Sequence, residues 1–240
     1  MFGIKARAYF AAPLRIDALL EAELLILTFS IGIQDAIAFP DFKCFASNQT
    51  GNTVVLAIGA AGLGGEQFDL RNIGISLSAF IAGATLTGQF ANIIGSSRRG
   101  WLLASHLIQT LMVFAAAAIQ LISNGQGTGS YAMGSITLLA FSSGAQVASM
   151  RPMRVQEITT AMATAAWVDF VIDPQLLSAS NRPRNRRGLF LLTLIVGSFV
   201  GAFMYRGVGS GNTLMLSAAL KLTVTLMLLL NAQHSEMNAT

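Results

Sequence analysis

The chain has 240 residues, 53% of them hydrophobic and 11% charged, with a mean hydropathy of +0.61. Soluble domains carry roughly 25% charged residues, so this composition excludes an ordinary soluble domain and points to a multi-pass membrane protein. The net charge of +4 does not imply nucleic acid, because the basic residues stand in short links between apolar runs, where they orient a membrane protein.

A single cysteine, Cys44, rules out an internal disulfide and any CxxC metal site. Residues 1–18 read as a cytosolic tail. No small-residue cleavage site follows them, so the first apolar run is expected to be a retained span. Six runs fit the spanning range of about 17–25 residues: 19–39, 72–94, 101–122, 131–150, 189–205 and 212–230. They group into a first membrane repeat, 19–122, and a second, 131–230, before a cytosolic tail at 231–240. All are rich in small residues, as in "AFIAGATLTG" from Ala79 and "VGSFVGAF" from Val196. Small residues let helix backbones approach closely in lipid. The same faces suit contact between copies, which leaves a homo-oligomer among the expected partners.

Two shorter elements, 46–62 and 157–173, begin with polar residues. If neither spans, Lys5, Arg7, Arg15, Arg98, Arg99, Arg151, Arg154, Arg182, Arg184, Arg186 and Arg187 share one side, against Lys43, Arg71 and Arg206 on the other. If both span, the split is eight against six. The first arrangement follows the positive-inside rule. The fold class expected is therefore an all-α integral membrane protein with six transmembrane helices, two short re-entrant or broken helices, and both termini cytosolic.

The two short elements sit in an internal repeat. "GIQDAIAF" begins at Gly32 and "GAQVASM" at Gly144, an offset of 112, and Gly83 matches Gly197 at 114. Each glutamine segment is followed by Pro and a basic residue, a Thr-rich element, and an Arg-Asn pair (Arg71-Asn72; Arg184-Asn185). Three spans per half make the second half inverted, a common construction of secondary transporters whose interrupted segments point to the binding site.

These residues, "GIQDAIAF…SNQTGNTVVLA" and "GAQ…ITTAMATAAWVDF", resemble the YoaK-like family of multi-pass membrane proteins, a domain-of-unknown-function family. The resemblance covers about residues 19–230. Its most specific part is N-x-T-G-N at Asn48, Thr50, Gly51 and Asn52, and the Ala-Trp-Val-Asp form is similar to the fungal-type branch. The second half departs from the pattern at Ala163-Thr164, where a Thr-Gly would fall. The resemblance implies the fold and the membrane, and no activity.

Gln34 and Asp35 lie inside an apolar span. A carboxylate there needs a partner or a cavity and could couple protons. Asn48–Thr53 would offer polar groups around a permissive glycine, or would only cap a helix start. Gln146, Thr159, Thr160, Thr164 and Asp169 are their counterparts. Lys221, inside the last span, has Asp35, Asp169 or an interface as partners. "NRPRNRR" (181–187) reads as an orienting loop or an anionic-lipid contact, and "GVGSG" (207–211) as a tight turn. His106 and His234 keep no ligand spacing with Cys44 or carboxylates, so no metal is expected, and no cofactor fingerprint or nucleophile motif points to an enzyme.

The function expected is a secondary transporter or permease for a small polar or ionic solute in the lipid bilayer. Its site would comprise Gln34, Asp35, Asn48, Thr50, Gly51 and Asn52, with Gln146, Thr159, Thr160, Thr164 and Asp169. The alternative is a non-transporting scaffold or assembly protein.

Overall fold

A chain with so many small residues can bring helix axes together until backbones touch, and this sets the architecture. The computed structural model describes residues 2–63, 65–123, 125, 127–178 and 180–231, with the side chains of residues 2–6 and 66 left aside. His234 and the tail beyond residue 231 lie outside the described residues. The helices are α1 (Phe2–Ala11), α2 (Ala18–Phe42), α3 (Gln49–Ala60), α4 (Leu70–Ile94), α5 (Arg99–Ile122), α6 (Gly129–Met150), α7 (Ala163–Val171) and α8 (Arg182–Leu230).

The helix ends have local causes. Asp17 accepts from the amides of Leu19 and Leu20 to start α2, and Asp69 does the same for Arg71 and Asn72 at α4. Lys43 in left-handed conformation (φ 58°) closes α2, as Gly95 (φ 112°) closes α4. Asn181 caps α8, with Pro183 in its first turn, so the fifth apolar run is helical from Arg182 rather than from residue 189.

Among the described residues, four helices are long and apolar enough to cross a membrane: α2, α4, α5 and α8. With 49 residues, α8 would reach about 74 Å, far beyond a hydrocarbon core of about 30 Å. Gly209 (φ 80°, ψ 170°) breaks it into two arms. The first arm runs alongside α2 in the same direction, with Arg182 on Glu21 and Tyr205 on Asp41. The second returns, with Ser217 on Ser30 and Asn231 on Arg99. The "GVGSG" segment is thus the turn of a helical hairpin.

Two helix pairs meet at glycine. A methyl group on Gly32 would stand 2.7 Å from the Leu194 carbonyl oxygen, and one on Gly197 2.5 Å from that of Phe29. In the other pair, Gly144 lies against the Phe80 carbonyl and Gly83 against that of Phe141. The partners obey the repeat offsets, since Phe29 and Phe141 differ by 112 and Phe80 and Leu194 by 114.

The short elements do not cross the bundle. After α2 ends at Phe42, the chain turns back until the amides of Ala46 and Ser47 reach Asp35, one to two turns inside α2. From there α3 climbs along α4, starting beside Ser76 and finishing beside Leu70. Its 12 residues rise about 18 Å. Likewise α7 packs along the first arm of α8, with Phe170 against Gly188. The two elements sit at opposite ends. One end gathers the links around Pro13, Ser97, Glu21, Glu157, Arg186 and Asn231; the other gathers Asp41, Gln120, Gly127, Tyr205 and Ser210.

Replacing Gly197 with Val forces backbone apart. We expect a loss of about 3 kcal/mol, the upper end for overpacking, seen as a lowered melting temperature in detergent. Gly88, where an added methyl group would meet nothing within 4 Å, is the control. Gly88→Ala should raise the midpoint, by up to about 1 kcal/mol of helix propensity.

Candidate functional site

The polar residues of the two halves fold into three arrangements: a latched loop, an open cleft, and a buried seam between them.

The latch belongs to the first half. One oxygen of Asp35 accepts from the amides of Ala46 (2.9 Å) and Ser47 (2.8 Å), and the other from the Ser47 hydroxyl (2.5 Å). Asn52 clamps the same loop, its Oδ1 accepting from the Phe45 amide and its Nδ2 donating to the Phe45 carbonyl, to Gln49 Oε1 and to Ser76 Oγ. Asn48 caps α3 by accepting from the Gly51 amide at 3.1 Å. Here Gly51 gives close approach, since a methyl on it would press on the Asn48 side chain at 3.1 Å. Thr50 is exposed. The "SNQTGN" run therefore fastens the loop between α2 and α3. Ser47, Gln49 and Asn52 face protein, whereas Asn48 and Thr50 are exposed.

The cleft belongs to the second half. It measures about 510 Å³ and lies between the end of α6, the 155–159 loop and α7, with Val147, Ile158, Thr159 and Asp169 among its walls. Val147, Ile158 and Thr159 stand 112 residues after Asp35, Ala46 and Ser47. Where the first half has a carboxylate gripping two amides, the second has a valine that grips none, and the cleft opens there. Thr159 bonds only locally, to the amide and carbonyl of Met162. Asp169 faces Arg187 at 3.7 Å. Thr164 is exposed, and Thr160 is buried at φ 63° with its hydroxyl unpartnered.

The seam runs through the middle. Gln34 Nε2 donates to Ser217 (2.9 Å) and Ser30 (3.2 Å). One turn further along the same arm, Lys221 donates to Gln146 Oε1 (2.5 Å) and Gln109 Oε1 (3.3 Å). Lys221 therefore pairs with amides, and neither Asp35 nor Asp169 reaches it. All these side chains are buried, as is His106, whose two ring nitrogens have no partner. The expected site residues thus fall into two groups at opposite ends, apart from Gln34 and Gln146, which stand in the seam between them.

Gln109 and Ser217 are the seam residues that residue-by-residue reading passes over; Lys221 stands out there with other partners, and His106 is weighed there only as a metal ligand. The repeat carries a signal for most of them: Gln109 and Lys221, and Ser105 and Ser217, differ by the same 112 as Gln34 and Gln146. Among the described residues no group of three or more His, Cys, Asp or Glu side chains is placed to hold a metal ion.

Residues 24–227 match the family model described as Protein of unknown function (DUF1275). No curated protein and no solved structure matches the chain.

The latch has a built-in reporter. Cys44 is buried beside the fastened loop, and burial pushes its thiol up to about 12. At pH 8 the thiolate fraction is then on the order of one in 10,000, so the native chain should resist maleimide. Asp35→Ala frees the loop and removes a neighbouring negative charge, and both changes lower the thiol's pKa. Labelling at Cys44 should rise by about tenfold or more, read by intact mass. Unchanged labelling would mean the loop is held without Asp35.

Proposed function

We propose that this chain, which belongs to the DUF1275 family of proteins of unknown function, is a secondary transporter or permease for a small polar or ionic solute. The observation that carries the reading is the unequal treatment of equivalent positions. The Asp35 latch closes one half, and its counterpart at Val147 leaves a cleft of about 510 Å³. A carrier held open to one side looks like this, because inverted halves that adopt different states expose their site to one face at a time.

The finer topology follows the same reading. The spans number six: α2, α4, α5, α6 and the two arms of α8. The halves are inverted, and three observations support this. The glycine contacts recur with offsets of 112 and 114. Both short helices run back along the span that follows them. Residue types of the seam recur at an offset of 112, Gln34 with Gln146 and Ser105 with Ser217. The end bearing Arg98, Arg151, Arg154 and the 182–187 arginines faces the cytosol, with both termini on that side, by the positive-inside rule. The cleft then opens to the cytosol. The YoaK-like, fungal-type assignment is the finer family reading, carried by Asn48-Gln49-Thr50-Gly51-Asn52 and Ala166-Trp167-Val168-Asp169. We take the chain as non-enzymatic.

The second reading is a scaffold. Its support is the complete pairing of Asn52 and Asp35, which is what interhelical fastening looks like.

Thiol accessibility separates the two. In a Cys44→Ser background, single cysteines at Thr159, Met162 and Ala165 should react with a membrane-impermeant reagent from the cytosolic face, and those at Ser47 and Asn52 from neither face in the resting state. A transporter further predicts that solute turnover exposes Ser47→Cys from the opposite face. If positions 159–165 are as silent as 47–52, no aqueous cleft exists and the scaffold reading replaces transport.

A further inference from the structure

The cleft and the seam behind it share a charge pattern that narrows the solute, given the transport reading above. The acids around the cleft are engaged. Glu157 bonds Arg186 at 3.5 Å, Asp169 faces Arg187 at 3.7 Å, and Asp173 faces Arg187 at 3.6 Å. Arg151, on the cleft wall, makes no ion pair among the described residues; its polar contact is the Met162 sulfur at 4.0 Å.

Beneath the wall the pattern continues. Val147 lines the cleft, and its neighbour Gln146 faces the interior, accepting from Lys221 at 2.5 Å. Lys221 is fully buried and meets no carboxylate among the described residues. Gln146 Nε2 and both nitrogens of His106 are buried without partners. An isolated lysine at the centre of a spanning helix is costly even on insertion scales. Two amide oxygens offset only part of that, whereas an anion supplies the missing charge. A cation arriving at Gln146 would meet Lys221 as a like charge.

The remaining walls combine apolar Val147, Met150, Val155, Ile158, Met162 and Ala165 with the polar Gln156 and Thr159. A lining of both kinds suits an organic body that carries a polar head. We infer that the solute is a small organic monoanion, a carboxylate or sulfonate on a short apolar body, taken in past Arg151 at the mouth and bound at Lys221 with the free Gln146 amide as its second donor. Access to Lys221 requires α6 to shift, since the seam itself is closed.

The probe pair is 1-propanesulfonate and propyltrimethylammonium, similar apolar bodies with permanent opposite charges. Each is titrated against the whole chain in phosphatidylcholine nanodiscs, with sodium chloride holding ionic strength constant, and the unfolding midpoint is followed. Propanesulfonate should raise the midpoint saturably and the cation should not. Lys221→Gln should weaken the apparent affinity about tenfold or more while raising the unliganded midpoint, because a buried unpaired charge has gone. Arg151→Gln, at the exposed mouth, should weaken it about threefold with the unliganded midpoint unchanged. This second variant keeps the test alive if Lys221→Gln fails to fold.

Equal stabilisation by the cation, or wild-type affinity in both variants, overturns the inference. So does loss of the propanesulfonate effect when phosphatidylglycerol is added to the nanodiscs, which would assign the cleft to a lipid headgroup. Flux in proteoliposomes separates the two claims. Anion-specific binding without propanesulfonate flux removes transport and leaves the anion site. Flux of propyltrimethylammonium alone removes the anion site and leaves transport.

Discussion

Backbone contact at four glycines is the constraint on which the rest of this structure depends. Lipid tails are as apolar as any side chain, so no hydrophobic force holds helices together within a bilayer. What remains is dispersion at short range, which falls away with gaps of less than an ångström. Gly32 and Gly197 bring α2 against the first arm of α8, and Gly83 and Gly144 bring α4 against α6. Only at that spacing do short polar side chains bridge the helices. Ser30 meets Ser217 at 2.8 Å, and Gln34 reaches Ser217 at 2.9 Å. Larger residues at the glycines would leave each of these groups unsatisfied in a medium that offers no water.

The second determinant is one carboxylate. Asp35 can exist at depth because the returning loop presents two amides and a hydroxyl to it, and those amides can exist there because Asp35 accepts from them. Charge-assisted bonds of this kind are about twice as strong as neutral ones. Valine at the corresponding position of the second half offers nothing to the 158–159 backbone, so that loop stands off and leaves the cleft. Asp35 and Val147, 112 positions apart, thus stand beside a fastened loop and a cleft respectively. The transport reading follows from that difference rather than from the polar residues as a set.

The seam carries the energetic cost of the fold. Lys221, His106 and Gln146 are buried with hydrogen-bonding capacity to spare. Apolar residues of similar volume would make a more stable bundle. A bundle selected only for assembly has no use for an unpaired cation at its centre, which is why the anion site and the transport reading support one another. The arginines at the α7 end do different work, since they neutralise Glu21, Glu157, Asp169 and Asp173 at a largely half-buried surface.

Composition and periodicity by themselves determined the membrane-like character, the all-helical build and the approximate positions of most long helices. These are local properties: run length, small-residue content and capping residues such as Asp17, Asp69 and Asn48 act on neighbours in sequence. Gly32, Gly144, Gly83 and Gly197 were visible as matching offsets, but that backbones meet at them was not. Only the tertiary structure decided what the polar residues do. "SNQTGN" has the same composition whether it lines a cavity or fastens a loop, and the choice depends on Asp35, Phe45 and Ser76, which chain folding brings to it. The partner of Lys221 was likewise undetermined, because sequence order sets no distance between an ammonium and two amides 75 and 112 residues away. The cleft exists because Val147 lacks an acceptor, and an absent hydrogen bond becomes visible only beside the equivalent one that forms.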